Sequence, residues 1–117
     1  MKTTLLILMV LASAAYAQAT MSDPEMTKLI VGTWMYDCNH ETIEYKSDGT
    51  FAFDLNGEKI VEKWWVKDGA LLETDSSIKG GQCYFKILFL TEDEWLILGM
   101  TPHAKGYSFF RRKYVDY

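Results

Sequence analysis

Two cysteines, two histidines and no excess of positive charge leave this 117-residue chain few routes to common functional chemistry. Its formal charge is −4, from 12 Lys and Arg against 16 Asp and Glu, which argues against nucleic acid or an anionic membrane surface as partner. No Cys-x-x-Cys pair exists to build a thiolate metal site. Gly-x-Ser-x-Gly, His-Glu-x-x-His and phosphate-cradling glycine loops are all absent, so the chain is read as a non-enzyme with no catalytic residue, no metal and no cofactor. It also lacks internal repeats, linkers, low-complexity tracts and Asn-x-Ser/Thr acceptors.

What is present begins with a leader. Lys2 supplies a positive start, Leu5 to Leu11 an apolar core, and Ala15-Tyr16-Ala17 small residues around a cleavage point. Residues 1–17 are therefore expected to be a secretory signal, and residues 18–117 a single periplasmic or secreted domain. The apolar core is too short to anchor the chain and no second such stretch follows, so no membrane span is expected. Removing Lys2 with the leader takes the formal charge from −4 to −5. A composition 49% hydrophobic and 15% aromatic belongs to a packed domain.

The mature part has a period of two. Ser22-Asp23-Pro24-Glu25 combines a capping residue, a proline in the first turn and an acid, which predicts a short helix from Pro24 to Leu29. From Leu29 onward, short apolar runs are punctuated by Ser47-Asp48-Gly49, Asn56-Gly57 and Lys67-Asp68-Gly69. The runs are Leu29 to Tyr36, Thr42 to Lys46, Thr50 to Leu55, Glu58 to Val66, Ala70 to Thr74, Cys83 to Leu90, Glu94 to Met100 and Tyr107 to Tyr114. Such short connections exclude parallel crossovers. The expected fold is all-β, an eight-stranded antiparallel up-and-down β-barrel with a short N-terminal helix; a two-sheet sandwich is the alternative.

Four segments carry a family resemblance: Val31-Gly32-Thr33-Trp34, Tyr45-Lys46-Ser47-Asp48-Gly49-Thr50-Phe51, Trp64-Trp65-Val66-Lys67-Asp68-Gly69-Ala70-Leu71 and Tyr107-Ser108-Phe109-Phe110-Arg111. In order and spacing they resemble the small bacterial lipocalin-like proteins of the calycin group, over nearly the whole mature chain. The resemblance implies a ligand mouth at one rim of the barrel and a closed end where Trp34 sits under Arg111. Glu62 departs from the family pattern, which has a small residue two positions before the tryptophan matched to Trp64.

Counting turns places the connections Asp37 to Glu41, Asn56-Gly57, Asp75 to Gln82 and Thr101 to Gly106 on one rim, the upper one. Cys38 and Cys83 both fall there, and in an exported protein a disulfide is the expected use; a zinc site shared with His40 and His103 is the alternative. The two histidines are read as solvated loop residues, with an acid–base pair as the other reading. Ile43, Tyr45, Phe51, Phe53, Trp64, Phe85, Ile87, Leu96, Leu98 and Phe109 share the inward phase, bulky enough to fill the lower interior. Room is expected only near the upper rim, lined by Met35, Leu55 and Met100, with His40, Glu62 and His103 as polar neighbours. Glu62 and Glu73 point inward by alternation, which predicts an ion pair with Arg111 or an anchor for a ligand head group.

Val61, Trp65, Leu72, Tyr84, Leu88, Trp95, Ile97 and Phe110 take the opposite phase. Val61, Trp65, Leu72, Leu88, Trp95 and Ile97 would form an apolar wall suited to a homodimer, unless a single bulge exchanges the two faces. The functional expectation is an exported, non-catalytic binder of a small apolar or amphipathic ligand at the open rim. The rivals are a protein-binding barrel such as a calycin-type periplasmic protease inhibitor, with residues 18–23 as an inserting arm, and a purely structural envelope protein.

Overall fold

Ser22 starts the helix by capping it. In the computed structural model, which describes residues 21–36 and 41–113, α1 (Asp23–Ile30) has Pro24 in its first turn and Ser22 as N-cap. Ser22 Oγ accepts from the Glu25 N–H at 3.3 Å and donates to Glu25 Oε1 at 3.0 Å. These bonds satisfy helix-end donors that the backbone alone leaves open. The helix turns Met26 and Ile30 inward, both buried.

Eight strands follow: β1 (Gly32–Tyr36), β2 (Thr42–Tyr45), β3 (Thr50–Leu55), β4 (Glu58–Lys67), β5 (Ala70–Thr74), β6 (Gln82–Leu90), β7 (Glu94–Gly99) and β8 (Gly106–Arg112). Each pairs antiparallel with the next, and β1 pairs with β8, so the sheet is a closed up-and-down barrel. The all-β barrel and the helix ahead of it are those the sequence predicts, and closure excludes the sandwich. Asn56 and Gly57 (φ 53° and 84°) turn β3 into β4, and Asp68 and Gly69 (φ 52° and 76°) turn β4 into β5. Two consecutive positive φ values match the twist of a two-residue hairpin, which is why Asn-Gly and Asp-Gly stand there. Among the described residues no helix is long and apolar enough to cross a membrane. The leader in residues 1–17 lies outside the described residues.

The helix plugs the lower end. Asp23 accepts from the backbone N–H groups of Asp68 (2.8 Å) and Gly69 (2.9 Å), tying α1 to the β4–β5 turn. Trp34, fully buried, donates its indole N–H to the Ile30 carbonyl at 2.7 Å. The cation over Trp34 is Arg112, not the expected Arg111. Its guanidinium lies 3.8 Å from the indole centroid and donates to the carbonyls of Val31 (2.9 Å), Leu29 (2.8 Å) and Glu92 (3.0 Å). Register explains the correction. Trp34 stands directly opposite Arg112, so the two side chains share the inner face, whereas Arg111 stands opposite Met35 and Glu94 on the outer one. Gly32 is fixed by the same arrangement: its φ is 138°, and a Cβ there would sit 2.1 Å from Arg112 Nη1.

Above this floor the interior is solid. Trp95 stacks on Phe110 with ring centroids 4.6 Å apart and meets Trp34 at 5.7 Å and Tyr45 at 5.6 Å. Tyr45 also packs against Trp64 at 5.2 Å and Phe51 at 5.5 Å. Trp95, Ile97 and Phe110 are therefore core residues, at most 2% exposed, and not part of an outer wall. Leu96, Leu98 and Phe109, expected inside, take the outer phase. Alternation along β7 and β8 from Ile97, which pairs with inward Ile87, fixes that phase. A register shift in β6 between Ile87 and Phe89 re-aims only the lower residues of β6 itself. Ile87 stands opposite Ile97, but the extra residue then brings Leu90 opposite Trp95 and leaves Phe89 beside Leu96 on the outside. Trp95 and Ile97 can form no dimer contact, while Val61 and Trp65 remain exposed on the outer face.

Candidate functional site

The packing stops short of the upper rim. Between β1 and β6 a cavity of about 270 Å³ opens under the β5–β6 connection. One side is apolar: Ile43 from β2, Phe51, Phe53 and Leu55 from β3, and Ile60 from β4, with Tyr36 and Cys83 at the margins. These positions follow strict alternation, so the pleat itself aims them at one volume. The other side is polar and acidic, made by Glu62, Glu73 and the run Thr74-Asp75-Ser76-Ser77. No Lys, Arg or His contributes to the described lining.

The acids differ in how they are held. Glu62 Oε1 accepts from the Thr74 hydroxyl at 2.8 Å, and Oε2 accepts from the Ser76 N–H (2.8 Å) and hydroxyl (2.7 Å). The Ser76 bonds hold this carboxyl below the usual carboxylate range, with the Thr74 bond assisting against partial desolvation. Glu62 is thus an ionised clasp between β4 and the start of the β5–β6 connection. Asp75 Oδ1 accepts from the N–H of Ser77 (3.0 Å) and from its hydroxyl (2.5 Å). The connection is closed by Asp75 N–H to Gly81 O at 2.7 Å and Gly81 N–H to Ile78 O at 2.9 Å. A side chain at Gly81 would collide with the Asp75 carbonyl oxygen, 2.0 Å from an added Cβ.

Glu73 is in a different state. It stands opposite Trp64 and Cys83 on neighbouring strands, one residue before the end of β5. Burial pushes its carboxyl up to about 7, with the Asp75 charge adding to the rise and a hydrogen bond from Tyr45 opposing it. That bond runs from Tyr45 Oη to Glu73 Oε2 at 2.5 Å. Burial, then the Glu73 charge, drives the Tyr45 phenol well above its ordinary value, so Tyr45 acts here as a donor. Burial also pushes the Cys83 thiol up.

Of the residues expected to bind a ligand, Leu55 and Glu62 line the cavity. Met35 does not, because it alternates with inward Trp34 and Tyr36 and takes the outer face of β1. Met100 and His103 sit on the β7–β8 connection, exposed and away from the lining. His40 lies outside the described residues. So does Cys38, and with it the expected Cys38–Cys83 disulfide. Arg111 is exposed, and Glu62 takes its bonds from neutral donors, so the inward ion pair with Arg111 is not formed. The sequence offers Glu73 as inward and as a head-group anchor, but does not bring Tyr45 or the Thr74-to-Ser77 run to the site. Alternation from buried Leu71 to Glu73, ending beside Cys83, is the signal that places Glu73 there.

No family model, curated protein or solved structure matches the chain. The barrel is compatible with a lipocalin-like fold, and its function has to be argued from the cavity.

Proposed function

We propose that this chain is an exported, lipocalin-like binding protein without catalytic activity, which holds one small amphipathic ligand in the upper cavity. The observation that carries this reading is the contrast within a single interior. Aromatic packing fills the barrel up to Tyr45 and Trp64, and then gives way to a void of about 270 Å³ with apolar walls and one polar side. Protein interiors are close-packed, and an apolar cavity of this size with a few convergent polar groups is the usual form of a small-molecule site. Its volume lies just under the roughly 300 Å³ at which drug-sized pockets begin, so the ligand is a small one. Export is supported by the leader-like residues 1–17, and the lipocalin relationship by the four motif segments together with the closed eight-stranded barrel.

Native mass spectrometry of protein purified from its own compartment tests the reading. A reproducible added mass, released on denaturation and lost in a cavity-filling Ile60→Trp variant, is the expected result. Bare protein that also fails to bind small amphiphiles would move the assignment to the protein-binding alternative.

A further inference from the structure

Resting on that reading, we infer that the ligand is a protonated amine on a compact apolar body, with the Glu73 carboxylate as its counterion. Among the described residues the polar side of the cavity presents three acids and no base. Glu62 is engaged at both oxygens, and Asp75 is held at Oδ1 within its own loop, each by Ser or Thr donors. Open oxygens remain on Asp75 at the rim and on Glu73 inside the strand. Glu73 has a donor on Oε2 alone, and Oε1 has no hydrogen-bond partner among the described residues. An open carboxylate oxygen on a cavity wall, partly withdrawn from water, is matched best by a donor or a cation. An ammonium group supplies both, in a charge-assisted bond, while its apolar body covers Phe51, Phe53 and Ile60. An anionic ligand would add a like charge to the same enclosed space, and a neutral alcohol would leave the charge unmatched.

The groups facing Glu73 make the preference depend on pH. They are Tyr36 from β1, Tyr45 from β2, Glu62 from β4, Asp75 at the end of its own strand and Cys83 from β6. Tyr45 and Cys83 are raised and Glu62 lowered, which leaves Glu73 to change charge near neutrality. The ammonium site is therefore complete above about pH 7 and lost as Glu73 gains its proton below it.

Calorimetric titration of the purified protein with 2-phenylethylamine, 2-phenylethanol and phenylacetate is the test. At pH 8 the amine is expected to bind about tenfold or more tightly than the alcohol, with phenylacetate weakest. Glu73→Gln should erase the advantage of the amine and leave alcohol binding within about twofold. In the unmodified protein the same advantage should shrink from pH 8 to pH 6, a readout that does not require the variant to fold. Alcohol or phenylacetate binding as tightly as the amine, or an advantage unchanged across that pH range, overturns the counterion inference and leaves the cavity reading standing. Failure of all three to bind overturns both.

Discussion

At the lower end of the barrel a partly buried cation is held on several sides: Arg112 donates to three carbonyls and lies over an indole. At the upper end a partly buried acid, Glu73, takes a hydrogen bond from a single phenol. Both groups sit on inward positions of neighbouring chemistry, yet one closes the structure and the other strains it. A charge held by several partners adds rigidity, while a charge with an open lone pair depends on its proton, on water or on a ligand to complete it.

Removing Arg112 should have the largest effect. Arg112→Ala leaves the carbonyls of Leu29, Val31 and Glu92 without their donor and uncovers Trp34, at an expected cost of about 4 kcal/mol. Arg111→Ala, one residue away on the exposed outer face with its guanidinium 5.9 Å from the Phe109 ring, should cost about 1 kcal/mol, well below Arg112→Ala. Urea unfolding of the two variants measures both. Equal losses would contradict the register that assigns the floor to Arg112. Gly32→Ala strikes the same spot from the other side, since its methyl group would overlap the guanidinium, and should lower stability comparably.

Glu73→Gln should act in the opposite direction, and only at higher pH. An ordinary Glu has a value of 4.5 and Glu73 is pushed up to about 7, so the folded state holds this proton more tightly than the unfolded state. Stability is then full below pH 4.5, falls as pH rises toward 7, and is level above that. The expected loss is on the order of 3 kcal/mol. Glutamine, which keeps the acceptor for Tyr45 and carries no charge, should remove that slope: equal stability near pH 4, greater stability than the parent near pH 8. Unfolding midpoints at the two pH values check the sign. A variant less stable than the parent at pH 8 would mean that Glu73 is satisfied in a way its single hydrogen bond does not explain.

Breaking the Glu62 clasp is a smaller perturbation. Ser76→Ala removes one of the three donors to Glu62 and leaves the Ser76 N–H and Thr74 bonds in place. A loss of about 1 kcal/mol is expected, with faster amide exchange confined to the β5–β6 connection. Exchange rising equally in β1 and β8 would show that the two ends are not independent.

The turns and the alternation were enough to define the barrel, because Asn-Gly, Asp-Gly and period-two runs are local signals with local causes. The same parity placed Leu55 and Glu62 correctly at the upper end. It failed wherever one residue of slip mattered. Nothing in Cys83 to Leu90 advertises that Leu88 interrupts the pairing and that Leu90 is thereby turned inward. Nothing local to Glu94–Gly99 says which of its faces meets Ile87, the pairing that puts Trp95, Ile97 and Phe110 inward and Phe109 outward. The exchange of Arg111 for Arg112 is the same slip on β8. Glu73 was legible as inward but not as exceptional, since its state depends on Tyr45, which is 28 residues away in sequence.

A difference of similar size separates two tryptophans that sequence alone cannot rank. Trp34 and Trp95 are both fully buried, and their rings touch. Trp34 donates its indole N–H to Ile30, whereas the Trp95 indole N–H is buried with no acceptor among the described residues. Replacing either with phenylalanine removes a similar volume, so the cavity costs nearly cancel in the difference. Trp34→Phe also strands the Ile30 carbonyl and weakens the Arg112 contact, while Trp95→Phe relieves an unsatisfied donor. Trp34→Phe should therefore be the more damaging by roughly 1–2 kcal/mol in urea unfolding. The reverse order would place an acceptor for Trp95 in the core, and would mean that the middle of the barrel is less completely packed than its floor.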